Sequence, residues 1–290
     1  MSLKYSITLS SFRNIAEPLE QTLDALLKQG YDAIEMFGEP EKVQLKYLED
    51  LFHSYNIAVC GVTGMWGSIS TDGWKRKLLT SDPTLINTSQ KYVKECIHMC
   101  QLLGGKKLNI CLFAEDKLVS IDNNHQVISE DQKEPIIRGV LPVLSDLSKY
   151  ANDLGIQLLL EPLNRYSTPY CTTAADAVAI AQQINQDNFG VLLDTFHMNI
   201  EEDSFEDAIL RTGRLLQHTH FADNNRKMPG YGHINFKSIL KALSQIGYNN
   251  QYISFEPVLT SNIYEVDTQY GLNFIKAIQA DRRDFLNQRS

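Results

Sequence analysis

Short apolar runs recur along the chain, separated by stretches whose apolar residues repeat every three to four positions. The runs KYSITLS (4–10), AIEMF (33–37), IAVCGVTG (57–64), KLNICLF (107–113), QLLLEPL (157–163), GVLLD (190–194), LLQHTHF (215–221) and YISFEPV (252–258) read as strands. Most are nearly continuous in apolar character, as strands buried on both faces are. The helical period predicts amphipathic helices over 17–29, 44–55, 84–103, 135–154, 173–185, 204–212 and 236–246, with a last one over 264–280. Gly30, Gly104, Gly155 and Gly247 stand where four of these helices stop, as a left-handed terminal residue requires.

Eight strands alternating with eight helices is the count of a closed (β/α)8 TIM barrel, expected here as one domain over 1–290. A doubly wound open sheet competes. It places a Gly-rich phosphate turn after its first strand, whereas SSFRN follows here. On a barrel, binding and catalysis gather at the C-terminal face of the strands. The longest non-periodic stretches, 65–83 and 114–134, both follow strands and are expected on that face.

Four strand ends are polar: Glu161, Asp194, His220 and Glu256 close QLLLE, GVLLD, LLQHTH and YISFE. A carboxylate at the tip of a buried strand is costly unless something pairs with it. Taken singly, each acid reads as a helix N-cap or salt-bridge partner, and the histidine as a satisfied core residue. Together they would need four separate partners at one barrel end, so a shared divalent metal ion is the simpler reading. Three carboxylates and one imidazole suit Mn²⁺, with Mg²⁺ or Co²⁺ as alternatives, better than the nitrogen- and sulfur-rich sets of structural zinc.

Residues two apart on a strand share a face. Ser254 and Tyr252 are therefore expected beneath Glu256, and His218 beneath His220 as a core or supporting residue. Glu35, on the second strand, is a candidate buried hydrogen-bond partner near the site. Glu161 and Glu256 each precede a proline, which holds the residue before it extended. They end strands three apart on the ring, so they approach a substrate from different sides, as a two-base proton transfer needs. The ion would polarise a carbonyl and a neighbouring hydroxyl and stabilise the enediolate.

The net charge of −8 argues against a nucleic-acid partner, whose affinity comes mainly from Lys and Arg on phosphates. The N-terminal MSLKYSITLSSF lacks the apolar core of a signal peptide. No apolar run reaches the roughly 18 residues that span a bilayer, so no membrane partner is expected. Cys60, Cys96, Cys100, Cys111 and Cys171 sit mostly in apolar segments and read as buried, reduced thiols of a cytoplasmic protein. Cys96 and Cys100, four apart on a helix, offer half a metal site or two core thiols, and the second is expected.

LDTFHMNIEEDSFEDAI (193–209), LEPLNR (160–165), HTHFADNNRKMPGYG (218–232) and the FEP of 255–257 resemble, in order, motifs of the ketose 3-epimerases. This D-tagatose and D-psicose 3-epimerase group lies in the xylose isomerase-like superfamily of metal-dependent barrels. The resemblance implies that Glu161, Asp194, His220 and Glu256 bind Mn²⁺ or a similar ion, and that Glu161 and Glu256 exchange the proton at C3. It further implies that His197 and Arg226 hold substrate oxygens around C1 to C3. The expected reaction is epimerisation of a free, unphosphorylated ketose. Aldose–ketose isomerisation, or a related sugar or keto-acid isomerase or dehydratase reaction, is the alternative. Relatives of this kind form dimers or tetramers, so a homo-oligomer is compatible with the resemblance.

The chain departs from the epimerase pattern in two places. Tyr166 is followed by Ser167, where the group usually carries a Glu that contacts the C1–C2 end of the substrate. The GMWG stretch (64–67) also differs: Met65 and Trp66 form either an apolar wall for the distal end of a sugar or a plug beneath the long loop. PGYG (229–232) reads as a plain turn. A DNA-repair endonuclease of the same architecture would need more histidine ligands and a basic face, against 7 histidines and a charge of −8.

Overall fold

The computed structural model describes residues 2–118, 120–122, 125–260 and 263–287. Eight parallel strands close into a barrel: β1 (Leu3–Thr8), β2 (Ala33–Gly38), β3 (Ala58–Gly64), β4 (Lys107–Ile110), β5 (Gln157–Leu160), β6 (Phe189–Asp194), β7 (Leu216–Phe221) and β8 (Gln251–Phe255). Each pairs with its neighbours in chain order, and β8 returns to β1. Helices α1 (Leu19–Gln29), α2 (Leu45–Ser54), α3 (Pro83–Leu102), α4 (Glu130–Asp153), α5 (Ala174–Ile184), α6 (Thr195–Glu201), α7 (Phe205–Thr212), α8 (Phe236–Gln245) and α9 (Tyr264–Asn287) lie between and after the strands. The barrel expected from the alternation is the one found.

The near-continuous apolar runs are buried as expected; every residue of β6 is buried. Gly30, Gly104, Gly155 and Gly247 all take positive φ, from 69° to 86°, and end their helices in the left-handed form. The five cysteines are free and buried. Among the described residues, no helix is long and apolar enough to cross a membrane.

Three local features differ from the sequence reading. The strand ladders stop early, at Ile110, Leu160 and Phe255. Glu161 and Glu256 lie just beyond them, with their N–H groups still bonded to Ile110 O and Phe221 O at 3.0 Å. Helix α4 begins at Glu130 rather than 135, because the N–H and hydroxyl of Ser129 both donate to the Gln132 side chain (3.5 and 3.1 Å) and open the helix earlier. Pro135, the first residue of the expected helix, lies inside it. Helix α6 is additional, and it carries His197.

The 65–83 stretch crosses the C-terminal face and includes short turns at Gly67–Ile69 and Gly73–Lys75. The 114–134 stretch contains a small antiparallel pair, Ser120–Asp122 with His125–Val127; its residues 119, 123 and 124 lie outside the described ones. None of its described residues lines the central cavity.

Candidate active site at the barrel mouth

Strand register builds the site. On β6 and β7, Asp194 stands opposite His220, and on β8 Ser254 stands opposite His220. Glu161 and Glu256 rise one position above β5 and β8. As a result, one ligand-capable atom from each of Glu161, Asp194, His220 and Glu256 lies within 4.8 Å of all the others. The four polar strand ends therefore converge.

Asp194 is also the helix N-cap that it reads as when taken singly. Its carboxylate accepts the N–H of Phe196 at 2.9 Å and so caps α6. One residue thus ends a strand, starts a helix and faces the cluster.

The charges do not balance within the cluster. Burial pushes the Glu161 carboxyl up, and Glu256 and Asp194 push it further against the pull of His220, to about 8. Burial would also raise Glu256, but His220 and Arg226 outweigh it and hold it at about 2. Burial would lower His220; Glu256 and Glu35 instead hold it well above its usual range. Glu161 Oε1 and His220 Nδ1 are buried without a hydrogen-bond partner. His220 Nδ1 lies 3.2 Å from Glu256 Oε2 and 3.8 Å from Glu161 Oε1.

Arg226 is not a solvated loop residue. It adopts a left-handed backbone (φ 58°), and its guanidinium hydrogen-bonds Asp194 and Glu256. The same group lies 4.8 Å above the Phe196 ring. His197 follows from α6 and faces the same space. Its Nδ1 lies 2.8 Å from Asn164 Nδ2, which can only donate, so Nδ1 accepts and the ring proton sits on Nε2. Nε2 lies 3.7 Å from Asp194 Oδ2. Burial lowers the imidazole to about 4, which keeps it neutral.

The residues open onto a cavity of about 620 Å³, lined by Glu161, Glu256, His197, Arg226 and Trp66 among others. Asp194 and His220 are fully buried beneath it. Trp66 lines the cavity and packs edge-on against Tyr92 at 5.4 Å, under the loop. Gly64 is needed there, since a Cβ would collide with the indole. Ser167 lines the cavity where the family pattern has Glu. The PGYG segment is a turn organised by Asp223, whose carboxylate accepts from Gly230 N (2.9 Å) and Ile234 N (3.1 Å).

Several participants were not singled out from sequence. Asn109 donates to Glu161 Oε2 while its own oxygen accepts the Gly64 N–H, and Cys111 Sγ lies 3.6 Å from Glu161 Oε2. They stand two apart in KLNICLF, so the amide inside that otherwise apolar stretch was the available signal. Asn164 was visible only as part of LEPLNR.

Comparison with known proteins identifies the family. Residues 23–278 match the family described as xylose isomerase-like TIM barrel. A D-psicose 3-epimerase of Agrobacterium fabrum is 44% identical over 123 residues, which span 42% of this chain and 42% of that enzyme. An L-ribulose 3-epimerase of Methylomonas sp. is 29% identical over 234 residues, 79% of this chain and 74% of that one. In fold, the chain matches the crystal structure of D-psicose 3-epimerase with D-tagatose from Clostridium cellulolyticum H10. The TM-score is 0.79 at 24% identity, covering 95% of this chain and 99% of that one. The chain belongs to the xylose isomerase-like TIM barrel family.

Proposed function

We propose that this protein, a carbohydrate-acting isomerase or epimerase, epimerises a free ketose at C3, with Glu161 and Glu256 as the proton-transferring pair. The observation that carries the reading is their placement. They rise from strands three apart, converge on one cluster and line one cavity. The 3-epimerase relatives support the same reaction class.

The residues fit a divalent cation. Three carboxylates and an imidazole converge, and Glu161 Oε1 and His220 Nδ1 are buried with nothing to bond. Such orphaned groups are costly inside a protein. A cation held by Glu161, Asp194, His220 and Glu256, which we take to be Mn²⁺, supplies Lewis acidity that lowers the cost of charge on the sugar's oxygens.

The chain's own groups account for the rest. One glutamate removes the C3 proton from one face of the sugar, and the other returns a proton to the opposite face, inverting that carbon. The two start a turnover in opposite protonation states and end it exchanged. His197 presents Nε2–H, and Arg226 its guanidinium, to the oxygens that gain charge in the enediolate. Met65 and Trp66 wall the cavity and exclude water from one side.

The test is a panel of free ketoses with the Mn²⁺-loaded protein in deuterated water, followed by NMR. Deuterium at C3 together with the C3 epimer is the expected result. An aldose product would mean isomerisation instead. No exchange with any ketose would overturn the reading.

A further inference from the structure

We infer that Glu35 is the positioning residue of this site: it fixes the His220 ring from below so that Nδ1 is presented to the ion. The inference rests on the reading of His220 as a ligand. It adds a residue which that reading does not require.

The geometry is specific. Both Glu35 oxygens lie 3.2 Å from His220 Nε2, and Oε2 lies 2.9 Å from His218 Nε2. Oε1 also accepts the Thr63 hydroxyl at 2.8 Å. An ionised carboxylate only accepts, so each imidazole carries its proton on Nε2 toward Glu35. Two imidazole nitrogens and a hydroxyl converge on the carboxylate, which is the surrounding of an acceptor. One nitrogen of His220 is thereby committed, and the other faces Glu161 and Glu256 without a hydrogen-bond partner.

Three features support Glu35. The β2–β3 register shifts between Ile34 and Glu35, a bulge of the kind that re-aims a side chain beside a site. His218 stands edge-on to His220, with centroids 5.4 Å apart, and braces the carboxylate from the second side. Glu35 is buried at 2% exposure, a costly position that two imidazoles and a hydroxyl compensate.

Glu35, His218 and His220 are also close enough to hold an ion of their own. The Nε2 atoms of both histidines are already hydrogen-bonded to Glu35, however, which leaves His218 Nδ1 as the one unbonded nitrogen that belongs to the lower group alone, whereas the upper cluster brings the unbonded Glu161 Oε1 and His220 Nδ1 together with Asp194 and Glu256. The lower group is therefore a support, and one ion per chain is expected.

The experiment is calorimetric titration of the full chain with Mn²⁺ and with Zn²⁺, for the wild type, Glu35→Gln and Thr63→Val. The melting temperature of each metal-free form is measured alongside. We expect one ion per chain and an affinity loss of about 10- to 100-fold in Glu35→Gln, the range for partners behind a ligating histidine. Thr63→Val, which only loosens Oε1, should lose less, and it carries the test if Glu35→Gln does not fold. In the zinc-loaded wild type, ¹⁵N spectra should show His220 retaining its Nε2 proton.

Unchanged affinity in both variants overturns the inference, as does a lower melting temperature at unchanged affinity. Two ions in the wild type with one lost in Glu35→Gln also overturns it. A wild type that takes up no ion sinks the ligand reading itself, which separates the two failures.

Discussion

Arg76 and Glu39 meet as a buried ion pair, 2.6 Å apart, beneath the loop that carries Trp66. Arg76 also donates to Met65 O and lies 3.8 Å over the Tyr92 ring; the Tyr92 hydroxyl in turn accepts from Met65 N at 2.7 Å. The pair thus pins the apolar wall of the cavity. Breaking a buried pair leaves a charge uncompensated, so Glu39→Gln should cost about 3 kcal/mol and raise KM. Chemical denaturation and steady-state kinetics check both effects.

The same pair sets an acid limit. Burial would raise the Glu39 carboxyl, but hydrogen bonds from Arg76 and Ser70 hold it below its ordinary 4.5. A carboxyl lowered on folding contributes stability that is complete above its unfolded value and is lost as pH falls through its folded value. The melting-temperature gap between wild type and Glu39→Gln should therefore be widest near neutrality and close as pH falls below 4.5. A gap that stays constant over this window would show that the pair is not what titrates.

His197 offers a sharper probe of chemistry. Asn164 donates to its Nδ1 and so places the ring proton on Nε2, facing the cavity. Asn164→Asp substitutes an acceptor, draws the proton to Nδ1 and removes the donor from the site. Loss of one donor to a developing oxyanion typically costs about 10²- to 10³-fold in kcat. The expected result is a fall of that order with a melting temperature close to wild type, and ¹⁵N spectra report the tautomer directly.

Ion removal should act on both stability and rate. Chelation is expected to abolish epimerisation and lower the melting temperature, and Mn²⁺ should restore both. Saturation at about 100 times Kd stabilises a folded chain by about 2.7 kcal/mol. A thermal shift of several degrees that scales with the logarithm of ion concentration is the signature. A shift without recovered activity would separate ion binding from catalysis.

How much of this was legible in the sequence depends on how local each relationship is. The period-two and helical patterns carry the barrel, and the four polar strand ends carry the cluster, because parallel strands bring their C-terminal ends to one face. Helix α6 was hidden because Asp194 is both the last residue of a strand and the cap of a helix. Arg226 resembles any loop arginine until its left-handed backbone folds it onto Asp194, 32 residues away. Glu39 and Arg76 lie 37 residues apart in irregular segments, where no periodicity predicts pairing. Glu35 sits in an apolar run as a single polar residue, and only the closed barrel reveals His218 and His220 across from it.

Ser167 tests substrate choice. It lines the cavity, with its hydroxyl 3.5 Å from Asn164 Oδ1, at the position where the resembling epimerases carry a glutamate toward the C1–C2 end of the sugar. Ser167→Glu restores a charged acceptor there. A hydrogen bond to a charged group contributes about 1.5 kcal/mol, close to a factor of ten in affinity. For unmodified ketoses, KM should therefore fall about tenfold, while kcat stays within a factor of two or three because Glu161, Glu256 and their partners are untouched. A KM that rises for every free ketose would mean that this end of the cavity is shaped for a different group, and the wild-type panel should then be extended to sugars substituted at C1.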